Sequence, residues 1–116
     1  MTEGFIEKRR APRVATDIPI QLTAPAEGSP GNLRDISTVG LCCEVAEPLQ
    51  EMTVVSIELS LPGSDENHQV TGAVVRCDRA AARNKMAYEI AIYFTEISNS
   101  TRRAIGTYVE QCVADS

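Results

Sequence analysis

The sequence predicts an all-β domain, an antiparallel barrel or sandwich, on three observations. Apolar residues alternate with polar ones in several short runs, the period of a half-buried strand. Turn-forming clusters rich in Pro, Gly, Ser, Asn and Asp separate the runs, with no helical pattern between them. Helical spacing emerges only in the last segment. A length of 116 residues bounds the chain to one domain, and 43% apolar content supplies a core. With no Trp, three Tyr and two Phe, that core is aliphatic.

Taken in order, Ile18, Ile20 and Leu22 alternate with Pro19, Gln21 and Thr23 as a first strand. Ala24 to Gly31, with two prolines and two glycines, is expected to lie outside regular structure. Val39, Leu41, Cys43 and Val45 form an inward set that turns Cys42 to the opposite face. Val55, Ile57, Leu59 and Leu61 give the cleanest alternation, followed by a hairpin loop over Pro62–Asn67. The run from Val70 to Cys77 is apolar on both faces with Gly72 inside it, which fits a bulged or bent strand. Asp78–Lys85 is a polar connection, and Tyr88, Ile90, Ile92 and Phe94 then face inward from a last strand. After Ser98-Asn99-Ser100, any of which can cap, Ile105, Tyr108, Val109, Cys112 and Val113 fall on one helical face. Gly106 costs this helix about 1 kcal/mol relative to Ala, so packing on the strands has to hold it.

Several function classes are disfavoured. No run approaches the roughly 18 apolar residues of a membrane span. The opening residues lack a signal-peptide apolar block, which implies a cytoplasmic protein. Cys42, Cys43, Cys77 and Cys112 contain no Cys-x-x-Cys pair, and His68 is distant in sequence from all of them, so no metal site is expected. His68 reads as a surface residue beside a turn. No nucleophile–base arrangement or phosphate-cradling glycine loop suggests an enzyme.

Charge singles out the N-terminus. The net charge is −5, yet Lys8, Arg9, Arg10 and Arg13 make the first thirteen residues basic. An acidic protein with one basic island is unsuited to a nucleic acid polymer, whose backbone the remaining surface repels. The island suits a small anion that needs a few guanidinium groups at one place. Pro12 biases Ala11 towards an extended backbone, so the arginines sit on a strand-like lead-in. Downstream, Asp35 and Ser37 stand two apart, which on an extended backbone directs them to one side. Gly40 supplies either an unusual backbone angle or room for a close approach.

Arg9-Arg10-Ala11-Pro12-Arg13 and Asp35-Ile36-Ser37-Thr38-Val39-Gly40 together resemble the PilZ domain family, bacterial receptors for cyclic di-GMP. The family pattern is Arg-x-x-x-Arg, a first strand and loop, then Asp/Asn-x-Ser-x-x-Gly. Gly72–Arg76 and Tyr88–Ile97 resemble its later strands; Ala91 departs from the Gly that many members carry there, a change expected to bear on packing more than on binding. The resemblance implies a six-stranded antiparallel β-barrel over residues 14–116, with a flexible basic arm over residues 1–13 and a C-terminal helix at about 99–113. It implies cyclic di-GMP as ligand, bound by Arg9, Arg10, Arg13, Asp35, Ser37 and Gly40, with Lys8 and Arg76 as further candidates. A basic residue at Lys8 leans towards a stacked pair of ligands, and Arg76 either joins the site or forms a salt bridge.

The chemistry agrees. Guanine offers O6 and N7 to an arginine fork, and its N1–H and N2–H₂ edge suits the Asp35 carboxylate. Phosphate oxygens take arginine in the same bidentate way. The expected output is an arm ordered by ligand, read by an unidentified partner protein or by a second copy of the chain. The rival reading is a barrel of this type that has lost nucleotide and acts as a protein-interaction adaptor.

Overall fold

The structure, a computed structural model, describes residues 13–25, 28–63, 66–79 and 88–115. Six strands, β1 (Val14–Ala24), β2 (Ser29–Ile36), β3 (Gly40–Val45), β4 (Val54–Ser60), β5 (Asn67–Arg79) and β6 (Tyr88–Ile97), precede one helix, α1 (Asn99–Asp115). Every pairing is antiparallel. The strands close in the order β1-β2-β3-β6-β5-β4, with β1 pairing β4. Closure matters because an open sheet would leave two rows of unpaired backbone groups.

The alternation read from the sequence fills the interior. Leu33, Ile36, Leu41, Cys43, Val55, Ile57, Val70, Val74 and Ile90 are completely or almost completely buried. Helix α1 caps this core with Ile105 and Val109. Ser98 begins the helix: its hydroxyl accepts from the Thr101 N–H at 3.1 Å, and its carbonyl accepts from the Arg102 N–H at 2.9 Å. The Tyr108 hydroxyl and the Thr16 hydroxyl, 2.8 Å apart, tie the helix to β1.

Strand β5 takes in Asn67, Asp78 and Arg79, which the sequence assigned to loops, and four further expectations change. Ser29, Pro30 and Gly31 belong to β2 rather than to a loop, because Gly31 pairs with Ile20 on one side and Val45 on the other. The connection shrinks to the few residues after Ala24, with Gly28 at φ +83° donating its N–H to the Leu22 carbonyl at 2.9 Å. Val39 is exposed, because a tight turn, closed by Ser37 N–H to Gly40 O at 2.9 Å, delays β3 until Gly40. His68 is 4% exposed rather than on the surface; as the second residue of β5 it shares the inward parity of Val70 and Val74. Its Nδ1 lies 3.2 Å from the Thr101 hydroxyl at the start of α1. Val113 is 54% exposed, so the apolar helical stripe leaves the barrel after Cys112.

Glycine sets how closely the strands approach. A Cβ at Gly40 would collide with the Ile92 carbonyl oxygen, and one at Gly72 with the Tyr93 carbonyl oxygen. The two glycines thus flank β6 on either side. Gly106 is different: a Cβ there would meet only the Thr38 methyl, at an ordinary 3.7 Å. Gly72→Ala is therefore expected to destabilise the fold by about 1–3 kcal/mol through backbone displacement. Gly106→Ala is expected to stabilise it by up to about 1 kcal/mol. Thermal denaturation of the two variants checks both signs.

Candidate functional site

The candidate site is built by two irregularities in the ladder. Leu33 pairs with Cys43, but Asp35 pairs with Cys42, so Arg34 is an extra residue in β2. Val74 pairs with Ile92 and Arg76 with Ala91, so Val75 is an extra residue in β5. Along an unbroken strand Leu33 and Asp35 would share a face, as would Val74 and Arg76. Each bulge reverses the phase. Leu33 and Val74 stay in the core while Asp35 and Arg76 turn outward.

Cys42 pairs with Ala91 across β3 and β6. The residues Asp35, Cys42, Ala91 and Arg76 therefore form one outward row over four adjacent strands, three strand spacings or about 14 Å wide. Its centre is two small side chains and its ends are a carboxylate and a guanidinium. Tyr93, two residues beyond Ala91 on the same face, is 57% exposed.

Arg13 joins this row from the start of β1. Val14 pairs with Ile36 and Ala15 with Asp35, so the arginine-bearing and acid-bearing segments meet at the open end of one hairpin. The Arg13 Nη1 lies 3.1 Å from the Asp35 Oδ1. That oxygen is buried, and the approach is too poorly aligned to count as a hydrogen bond. Burial of Asp35 raises its pKa from the ordinary carboxylate value; Arg13 opposes the shift and Glu89 adds to it. The Cys42 thiol is pushed up to about 12, first by burial and then by the Glu89 and Asp35 charges. The wall between Asp35 and Arg76 is thus a desolvated surface with an under-satisfied acceptor.

Ser37 does not share the aspect of Asp35. Strand β2 ends at Ile36, so Ser37 begins the turn, fully buried, and extended alternation no longer applies. Its hydroxyl donates to the Gly40 carbonyl at 3.3 Å and accepts from the Val39 N–H at 3.2 Å. Gly40 serves the close packing of β3 on β6. Both residues build the turn that holds Asp35. Arg76 lies on the row and pairs with Asp78 at 2.9 Å, the salt bridge that the sequence offered as one alternative. Lys8, Arg9 and Arg10 lie outside the described residues.

Sequence reading missed Cys42 and Ala91 as the centre of the row, and Glu89 beside it. Parity signalled that Cys42 faces away from the core, but it is 3% exposed and packed into the wall. Ala91 also faces outward, in the row itself, so its departure from Gly bears directly on this surface. A hollow of about 290 Å³ beyond the far ends of β1 and β3 is lined by Leu22, Pro25, Pro30, Val45, Ala46 and Leu49, among others. It contains none of the expected ligand residues. Among the described residues, no cluster of His, Cys, Asp and Glu is arranged to hold a metal ion. No described helix is long and apolar enough to cross a membrane.

The described residues form a closed six-stranded antiparallel β-barrel with an acid–arginine pair at the open end of its first hairpin. The chain belongs to the PilZ domain family, whose pattern matches residues 7–111. Solved structures share the fold. The Bacillus subtilis inhibitor of motility, MotI/DgrA, superposes with a TM-score of 0.78 at 18% identity, over 93% of this chain and 52% of that one. The PilZ domain of Escherichia coli YcgR, solved with c-di-GMP, gives 0.72 at 16% identity over 93% of both chains. The K. pneumonia MrkH–c-di-GMP complex gives 0.71 at 15% identity, over 92% of this chain and 53% of that one. The chain spans about half the length of MotI/DgrA and MrkH. No curated protein sequence matches it.

The pKa shift of Asp35 carries a testable sign. An acid whose folded pKa is raised weakens the fold at pH values above that pKa, and the penalty disappears below the unfolded value of about 3.8. Asp35→Ala is therefore expected to melt at or above the wild-type temperature at pH 7. The advantage should shrink as pH falls through the carboxylate range, in paired melting curves from pH 7 to 3.5. An advantage that grows on acidification would contradict this reading.

Proposed function

We propose that the chain is a receptor for cyclic di-GMP. The observation that carries the reading is the Arg13–Asp35 approach of 3.1 Å, which unites the two halves of the motif on one outer wall of the barrel. Asp35 brings a desolvated carboxylate whose Oδ1 receives no aligned hydrogen bond. Guanine N1–H and N2–H₂ supply the donors such an acceptor lacks. Arg13, with Arg9 and Arg10 from the arm, takes the phosphates and the O6/N7 edge of guanine. The small Cys42 and Ala91 side chains form the floor between Asp35 and Arg76 over which a flat base would lie. Ser37 and Gly40 act by holding the turn, and Lys8 adds charge at the start of the arm. YcgR and MrkH, solved with c-di-GMP, support the reading at the level of fold.

The chain acts by binding rather than by catalysis. Ligand neutralises the arm and closes it over the row, and the altered surface is read by a partner protein or a second copy of the chain. Isothermal titration calorimetry tests the receptor reading directly. Heat is expected with cyclic di-GMP and not with GMP or cyclic di-AMP. Arg9→Ala and Arg13→Ala are each expected to weaken binding at least about tenfold. Silence with all three nucleotides would instead make the protein an adaptor without nucleotide.

A further inference from the structure

We infer that Arg102, on the first turn of α1, is a positioning residue for the nucleotide site, acting through the carbonyl of Thr38. The inference rests on the receptor reading above and extends it to the control of affinity.

The turn between β2 and β3 closes mainly on itself. Ser37 N–H bonds the Gly40 carbonyl, the Ser37 hydroxyl bridges Val39 N–H and Gly40 O, and the Val39 carbonyl accepts from Phe94 N–H at 2.9 Å. The Thr38 carbonyl takes no part in that network. It accepts instead from the Arg102 Nη1 at 3.0 Å, across 64 residues of sequence. Arg102 makes no ion pair among the described residues, so this carbonyl fixes its guanidinium. Gly106, one helical turn further on the same face, keeps the helix surface bare opposite the Thr38 methyl, which a Cβ there would meet at 3.7 Å. The Thr38 backbone is thus tied to α1 through its carbonyl.

The helix is anchored independently of this contact, by the Ser98 cap, by Thr101 beside buried His68, and by Ile105 and Val109 in the core. It also touches β1, where Tyr108 meets Thr16. Helix α1 therefore grips the chain just beyond each member of the Arg13–Asp35 pair. Asp35 stands in β2 two residues before that turn, and a carboxylate displaced by a fraction of an ångström loses the geometry of a paired base contact. Arg102 sets that geometry without touching ligand. By linkage, ligand binding must in turn favour the docked state of the helix.

The test compares Arg102→Ala, Arg102→Lys and Arg103→Ala with wild type, by calorimetry with cyclic di-GMP and by amide exchange without ligand. Arg103 is an exposed neighbour, so its removal reports the loss of one positive charge alone. Arg102→Ala is expected to weaken binding about fivefold and to speed exchange at the Thr38 and Val39 amides, with the melting temperature little changed. Arg102→Lys, which keeps a donor, is expected to recover part of the affinity, and Arg103→Ala to bind as wild type within about twofold. Equal affinity for Arg102→Ala and wild type would overturn the inference and leave the receptor reading intact, as would equal losses in the two alanine variants. Silence of the wild type would overturn both.

Discussion

A closed barrel has no free edge at which an error of pleat can be absorbed, so the parity of every strand is fixed by its neighbours on both sides. The extra residues Arg34 and Val75 are the departures from that constraint on which the site depends. They let Leu33 and Val74 remain in the core while Asp35 and Arg76 face outward, with Cys42 and Ala91 between them. The same economy appears where β6 is flanked by Gly40 and Gly72, positions at which any side chain would strike its backbone.

The site is arranged against stability rather than for it. Asp35 is drawn into a partly desolvated wall, and the partly exposed Arg13 beside it, with Arg76 further off, does not restore its ordinary ionisation. Glu89 adds a like charge where none would help the fold. A carboxylate with one oxygen buried and no aligned donor on it is ready for an incoming donor, and the rest of the fold supplies the rigidity that keeps it there. Ser37, Gly40 and Arg102 belong to that support: each acts on the turn.

Much of this was legible in the sequence. Strict alternation in Val55–Leu61 and Tyr88–Phe94 gives their inward faces directly, because burial on one side requires it. The spacing of Arg9, Arg13, Asp35, Ser37 and Gly40 identified the family, and hairpin pairing brings Arg13 to Asp35. Other features were hidden for physical reasons. Pro30 and Gly31 oppose strand formation locally, and the pairing of Gly31 on both sides overrides them. A bulge such as Arg34 leaves no local mark, since it is defined only by the register of a partner strand. His68 is a polar side chain buried beside Thr101, and Arg102 meets Thr38 only once the barrel is closed.

The most direct measurement of where ligand sits is an amide chemical-shift titration of the ¹⁵N-labelled protein with cyclic di-GMP. The expected result is a contiguous set of shifted signals at Asp35, Cys42, Ala91 and Arg76, extending to Arg13. Shifts confined to the hollow around Leu22, Val45 and Leu49, with the four-strand row unmoved, would contradict it.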